Sequence, residues 1–340
     1  MATVRIYLTT LSTDLNDLQE ADATTNKHNQ TLYLGWDYKD PNYNEQHPIF
    51  EKDLTFLGAI TVSAVSLTRN ANSGSGTGTF ACDMNRVRRA DWDDLTSTWT
   101  IYKTGNNWAT AGGTDTVSDI DTTNQFGFTE SIAVGERTYS SDANIVALFN
   151  DAITNQSGIL RVLLKGSSPS GGATKRIDWS PSTTYFDITY TGGNTISAAV
   201  TGTATASITE ADVVAGGKTI ILTLTNETWV ASGDFTDTVK TAIRNGITSA
   251  QNEAAGWNQK VRPNIPVANV VRTSDTVVTV TLQAQADYNI TAQETITCTV
   301  PPTATAHGTR LVASPTFTVD TGGEPPASTF LPRLRLLGVG

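Results

Sequence analysis

The segment GAITVSAVSLTR, residues 58–69, carries the clearest strand signal in this chain of 340 residues. Ile60, Val62 and Ala64 alternate with polar residues, and the apolar positions then change phase. A period of two is typical of a strand with one face on a core. TVRIYLT (3–9) and TLYLGWDY (31–38) read the same way, and turn-rich stretches separate them. We therefore predict strands joined by turns, with NSGSGTGT (72–79) as a mobile hairpin loop.

The composition supports an all-β protein and limits its partners. Hydrophobic residues make up 38% and charged residues 16% of the chain, whose length favours two domains. The net charge is −10, and acidic residues directly follow the basic cluster NRVRR (85–89), so we expect no nucleic-acid partner. MATVRIYLTT lacks an apolar signal region, and no run approaches the roughly 18 apolar residues of a membrane span. We expect neither a secretion signal nor a membrane partner.

Two segments have helical periodicity. SDANIVALFNDAITNQSG (141–158) places its apolar residues on one face, with Asp142 as the expected N-cap and Gly158 just past the end. DFTDTVKTAIRNGITSA (234–250) has Val239, Ala242, Ile243 and Ile247 at helical spacing. We predict one short helix in each segment.

The strand pattern restarts after about residue 195. TGGNTISAAVTGTATA (191–206) has no bulky aromatic residue, and KTIILTLTNETWV, DTVVTVTLQA and ETITCTVPP follow as strand candidates without a βαβ rhythm. We predict a β-sandwich over 1–191, a linker over 192–204, an immunoglobulin-like sandwich over 205–320 and an extended tail over 321–340. The predicted fold class is all-β: two β-sandwich domains, jelly-roll-like and then Ig-like, with one or two short helices.

An aromatic block lies in the first domain. Residues 90–113 contain Trp92, Trp99, Tyr102 and Trp108 among turn-forming residues. Such rings either fill a core beneath a long loop or line a surface that stacks on sugars. We interpret this block as chiefly structural.

No group of residues marks an active site. The histidines and cysteines show no metal-ligand spacing, and neither Asp93 and Asp94 nor any other carboxylate pair has a histidine or an isolated apolar setting beside it. Asp115, Asp119 and Asp121 offer oxygen ligands for Ca²⁺, but without the spacing of a known calcium loop, so a solvated acidic loop is the preferred interpretation. We predict no enzyme activity, no cofactor and no metal.

The last segment, 321–340, carries four leucines near its end, with arginines between them: Leu331, Leu334, Leu336 and Leu337. It is interpreted either as a disordered end or as an arm that docks on a neighbouring sheet.

Two family resemblances extend this interpretation. Residues 1–191 resemble the DNRLRE-type domain, a jelly roll related in shape to carbohydrate-binding modules, through PIFEKDLTFL, the block VRRADWDDLTSTWTIYKTGNNWATAGG, the helix before GILRVLL, and TYFDITY. The name motif of that family is not evident here. YNITAQETITCTVPP (288–302) resembles a phrase of immunoglobulin-like domains in tailed-phage virion proteins.

The resemblances imply a non-enzymatic virion protein made in the bacterial cytoplasm. The expected role is capsid decoration, as an auxiliary or head-fibre protein, with the major capsid protein or another virion protein as partner and with homo-oligomerisation. The alternative is a carbohydrate-binding adhesion module of a tail or fibre protein, whose partners are surface glycans.

Overall fold

The computed structural model describes residues 1–8, 14–28, 31–39, 42–167, 174–200, 207–311 and 313–321. Within these ranges strands predominate, and the prediction of an all-β fold is confirmed. No helix in the described ranges combines the length and apolarity that crossing a membrane requires.

An N-terminal unit contains the first thirteen strands of the described chain and one α-helix. In chain order these are β1 (Ala2–Tyr7), β2 (Asp14–Gln19), β3 (Leu32–Lys39), β4 (Asn42–Asp53), β5 (Ile60–Gly76), β6 (Thr79–Val87), β7 (Ile101–Lys103), β8 (Asn106–Asn107), β9 (Ile120–Ser131), β10 (Gly135–Tyr139), α1 (Ala143–Asn155), β11 (Ile159–Gly166), β12 (Lys175–Trp179) and β13 (Tyr185–Gly192). Short 3₁₀ turns cover Glu20–Asp22, Thr55–Leu57 and Pro181–Thr183.

A C-terminal unit follows with nine strands in the described residues. These are β14 (Ser197–Val200), β15 (Ser207–Thr209), α2 (Glu210–Ala215), β16 (Thr219–Thr225), α3 (Asp237–Asn245), β17 (Ile247–Ser249), β18 (Val270–Arg272), β19 (Val277–Thr281), β20 (Glu294–Cys298), β21 (Thr309–Arg310) and β22 (Thr316–Asp320). A π-helical turn covers Trp257–Val261, and 3₁₀ turns cover Arg262–Asn264, Val267–Asn269 and Pro302–Ala304.

β7 and β8 pair only with each other, and the other strands of the N-terminal unit form, together with β21, one twelve-stranded antiparallel sheet. Its order is β21-β1-β13-β5-β12-β3-β4-β11-β6-β9, with β10 also beside β5 and β2 beside β4. Side chains from strands along the whole sheet meet in one core, which Leu148 and Phe149 of α1 also enter. Asp142 caps α1 as predicted, because its Oδ1 accepts from the backbone N–H groups of Asn144 and Ile145 at 2.9 Å.

The phase change seen in the sequence of β5 has a structural cause. Opposite β13 the register shifts, so that Val62 faces Tyr190 and Ala64 faces Thr189. A bulge of this kind adds one residue to one strand and turns the following side chains to the other face. The buried residues therefore change from Ile60 and Val62 to Val65 and Leu67.

The hairpin loop predicted over residues 72–79 is shorter in the structure. Strand β5 continues to Gly76 and β6 begins at Thr79. The glycines serve close backbone approach, since a Cβ on Gly74 would lie 2.3 Å from the carbonyl oxygen of Ile132. The glycines of this segment therefore allow close backbone packing within a strand and do not form a long loop.

The C-terminal unit is a sandwich of two four-stranded sheets. One has the order β14-β16-β19-β18 and the other β15-β22-β20-β17, in which β15 and β22 run parallel. Leu222 and Val280 of the first sheet share a core with Ile296 and Phe317 of the second. Trp257 is fully buried in that core.

Local structure differs from the sequence prediction at three points. Ser197–Val200, inside the expected linker, forms β14, because the small residues Ala198 and Val200 suffice to pack an edge strand on the core. Helix α3 ends at Asn245, and Ile247 lies in β17 instead. Helix α2 was missed, although Thr209 and Asp212 form a capping box at its start.

Candidate functional site

The aromatic block covers the outer face of the N-terminal sheet. Its four rings are 4–8% exposed and pack with residues of β2, β4, β6, β9 and β11 in a cluster separate from the main core. Along β4, Ile49 enters this cluster while the adjacent Phe50 enters the main core. Both faces of the sheet are therefore buried at this place, and residues 88–119 act as a cap, called the aromatic cap below.

Hydrogen bonds fix the aromatic cap to the sheet. Asn16 of β2 donates to the carbonyl oxygen of Ser97 at 2.8 Å and to its hydroxyl at 2.7 Å. Within the cap, the indole N–H of Trp108 donates to the carbonyl oxygen of Thr98 at 3.0 Å. The guanidinium of Arg89 lies 4.8 Å from the ring centre of Tyr102. These contacts order a segment whose composition is that of a loop.

Trp99 lies at the centre of the cap against a glycine and a histidine. A Cβ on Gly112, whose φ is +81°, would meet the Trp99 ring at 2.6 Å, so only glycine fits there. The ring of His47 lies 5.1 Å from that of Trp99. Its Nδ1 is 2.9 Å from the carbonyl oxygen of Gly112, and its Nε2 is 2.7 Å from a carboxylate oxygen of Glu45.

This burial bears on the choice between core packing and sugar stacking. A ring that stacks on a sugar needs an accessible face, whereas none of these rings is more than 8% exposed. The placement favours the structural interpretation of Trp92, Trp99, Tyr102 and Trp108.

The three aspartates considered for calcium face different partners. Asp115 accepts from the backbone N–H groups of residues 117 and 118. Asp119 is fully buried and accepts from Arg89 and from two backbone N–H groups of the cap. Asp121 pairs with Arg86 and Arg88. Each carboxylate is thus engaged by N–H donors, and no set of three or more metal-binding side chains converges in the described residues.

The histidines each meet a carboxylate, and the cysteines are buried. His28 lies 2.7 Å from Asp94, while Asp93 accepts from the Leu95 N–H and the Thr96 hydroxyl in a local turn. Cys82 and Cys298 are free thiols. Burial raises the pKa of the Cys298 thiol to about 12 and that of Cys82 well above its usual value, so neither is a reactive thiolate at neutral pH.

The junction between the two units has its own polar group. His307 lies 2.7 Å from the buried carboxylate of Glu227 and 3.8 Å from that of Asp53, and it stacks on Phe56 with ring centres 4.2 Å apart. Beside it, β21 pairs with β1, so Arg310 faces Arg5 and the sheet of the N-terminal unit ends in a strand of the C-terminal unit. Sequence reasoning found none of this, because pairings between such distant residues leave no local signal.

Asp17 of β2 is a second buried group that the sequence did not reveal. One carboxyl oxygen accepts from the Gln19 amide at 2.6 Å, and the other has no partner in the described structure. Burial raises the pKa of Asp17 well above its usual value; the charge of Asp178 adds to this, while the Gln19 bond and the cations Arg176 and Lys27 oppose it.

We expect Asp17→Asn to stabilise the protein increasingly as pH rises. The folded state keeps a proton that the unfolded chain releases near pH 4, so wild-type stability falls as pH rises through the window between the two pKa values. The neutral amide removes that loss, and the stability difference should grow by up to ~1.4 kcal/mol per pH unit within the window.

Urea unfolding at pH 4 and pH 8 measures this difference. The matched control is Asp287→Asn, since the side chain of Asp287 is 84% exposed. A variant that is less stable than wild type by the same amount at both pH values would show that Asp17 is ionised and satisfied in the fold.

No protein-family model and no curated protein matches this chain. The resemblances to the DNRLRE-type domain and to phage immunoglobulin-like domains therefore stay predictions. The expected docking leucines Leu331, Leu334, Leu336 and Leu337 lie outside the described residues.

Proposed function

We propose that the chain is a non-enzymatic structural protein of a tailed-phage virion, a decoration protein that docks on the particle and displays its β-units. The observation that supports this most is the joint between the units. Strand β21 adds to the sheet of the N-terminal unit, and Tyr7 donates from its backbone N–H to Gly308 at 2.9 Å. Units joined by sheet hydrogen bonds keep their relative orientation, which suits a protein that bears load rather than one that closes on a substrate.

The course of β22 also supports display. It begins close to the junction, since Ser314 lines a cavity together with Thr3 and Arg5 of β1, and it ends beside Glu294 at the other end of β20. Five residues of extended strand span roughly 17 Å. The segment after Thr321 thus starts at the end of the C-terminal unit remote from the N-terminal unit, where it can reach a particle surface.

The buried carboxylates support a structural role. Glu294 accepts from Ser249, from the Trp257 backbone and from the Tyr288 hydroxyl, the last at 2.7 Å. A carboxylate bonded on both oxygens in this way holds the fold and is not available as an acid or base for a substrate. The alternative, a glycan-binding module, is less favoured, because the rings of the aromatic cap that would stack on sugars are buried.

Removing the tail tests the proposal. We expect a chain that ends at Thr321 to keep both units folded, because the two cores are formed by residues of the described chain up to Val319. It should lose most of its self-association and its attachment to heads of the phage that encodes it. Each buried leucine contributes roughly 1.5–3 kcal/mol, so the loss of four should reduce affinity by several orders of magnitude.

Light scattering coupled to gel filtration and co-sedimentation with heads are the measurements. A full-length variant with serine at Leu331, Leu334, Leu336 and Leu337 is the control, since it keeps the tail length and removes only apolar surface. If the shortened chain occupied heads to the same extent as the full-length chain, the tail would have no docking role.

A further inference from the structure

Three charged residues form a row across the outer face of neighbouring strands. By register, Asp187 of β13 faces Arg5 of β1, and Arg5 faces Arg310 of β21. Asp187 and Arg5 form a bidentate pair, with nitrogen–oxygen distances of 2.7 and 2.8 Å. The Arg5 guanidinium also lies 3.9 Å from the ring centre of Tyr185.

Arg310 is the member of the row that has no counter-charge among the described residues. Asp187 is committed to Arg5, and no other carboxylate in the described part of the chain pairs with Arg310. Like charges on directly opposed residues destabilise a strand pair. In a protein of net charge −10, two adjacent arginines, of which only Arg5 is paired with a carboxylate, are a local excess of positive charge.

A cavity of about 400 Å³ opens at this row. Both arginines and Asp187 line it, together with the hydroxyl-bearing residues Thr3, Thr299 and Ser314. The hydroxyl oxygens of Thr299 and Ser314 lie 3.2 Å apart. The N-terminal unit thus contributes one cation, the C-terminal unit contributes the other, and hydroxyl donors come from both.

We infer that this cavity binds a tetrahedral oxyanion, a phosphate or sulfate group. The planar guanidinium of Arg310 presents paired N–H donors whose spacing matches two oxygens of such a group, and hydroxyls supply further donors. Asp187 does not oppose the anion strongly, because Arg5 already neutralises it. The cavity volume is in the range of sites for small organic ligands, so there is room for a small molecule that carries the group as well as for the free ion.

Binding at this site also strengthens the joint between the units. A ligand that contacts both sides of the junction binds only when they are docked, so it stabilises the folded, joined state by mass action. The site is independent of the proposed virion role.

Titration calorimetry at constant ionic strength tests the site with three probes: glucose 6-phosphate, inorganic phosphate and glucose. We expect saturable binding of glucose 6-phosphate and none of glucose. Equal affinity for inorganic phosphate would assign the site to the free ion, and weaker affinity would assign it to a phosphorylated small molecule; both support an oxyanion site.

Variants identify the residue responsible. Arg310→Gln should weaken phosphate binding at least about tenfold and leave the unliganded melting temperature unchanged or higher, because the side chain is exposed beside Arg5. Arg137→Gln removes the same charge from β10, outside the cavity, and should bind like wild type. The inference is overturned if wild type binds neither phosphate compound, or if Arg310→Gln binds them as tightly as wild type.

Discussion

Replacing Trp99 by alanine is expected to lower the free energy of unfolding by ~3–5 kcal/mol, the usual cost of removing a buried aromatic side chain. The ring is 7% exposed and fills the space between Gly112 and His47 at the centre of the aromatic cap. Its loss leaves a cavity above the sheet that the cap cannot collapse to fill, because Asn16 and Asp119 hold the surrounding backbone. A domain stable by 5–15 kcal/mol would lose a large fraction of its margin.

Denaturant unfolding followed by circular dichroism gives the measurement. Leu95→Ala is the matched control, since Leu95 lies in the same segment but is 64% exposed, and its loss should change stability by no more than ~0.5 kcal/mol. If Trp99→Ala unfolded at the wild-type denaturant concentration but lost binding to a glycan array, the cap would be a sugar-binding surface instead.

Replacing Glu130 by leucine is expected to cost a similar ~3–5 kcal/mol, for a different reason. Glu130 of β9 is fully buried, accepts from Arg69 at 2.8 Å and from the Trp179 indole at 3.1 Å, and receives the Ser131 N–H. Without the carboxylate, the Arg69 guanidinium keeps only backbone carbonyl acceptors and remains buried as an uncompensated charge. The variant therefore leaves a cation in the core rather than a gap.

Two further variants separate charge from packing. Glu130→Gln keeps the shape of the side chain and one oxygen acceptor. It should therefore cost less stability than Glu130→Leu, which removes both acceptor oxygens. The double variant Arg69→Met with Glu130→Leu removes both charges, so it should recover part of the stability lost in Glu130→Leu. If the double variant lost as much free energy of unfolding as the single variants Arg69→Met and Glu130→Leu added together, the two residues would not be coupled.

The sequence predicted features that depend on neighbours along the chain. The alternation in β5 predicted the strand, its change of phase coincides with the bulge seen in the structure, and Asp142 marked the start of α1. The aromatic density of residues 90–113 singled out the cap, because a turn-rich segment needs large buried side chains to stay ordered.

Features that depend on distant pairing could not be predicted. Arg5 and Arg310 are ordinary surface arginines in the sequence, and only the β1–β21 register makes them neighbours. Asp17 lies in a strand that also contains Asp14, Asn16 and Gln19, and nothing in the sequence marks it as a buried carboxyl. The glycines of 72–79 led to the prediction of a longer loop, because close backbone packing and tight turns both favour glycine.

The short pairing of β21 with β1 has a consequence for the growing chain on the ribosome. All the strands of the N-terminal unit are complete by Gly192, but the strand that covers the outer edge of β1 is not made until residue 310. During this interval the backbone groups near Arg5 and Ile6 are an open edge, the kind of surface on which nascent chains pair with one another. Arg5 lies on that edge, and a charged side chain there discourages such pairing. Before it faces Arg310, Arg5 therefore reduces aggregation of the incomplete sheet.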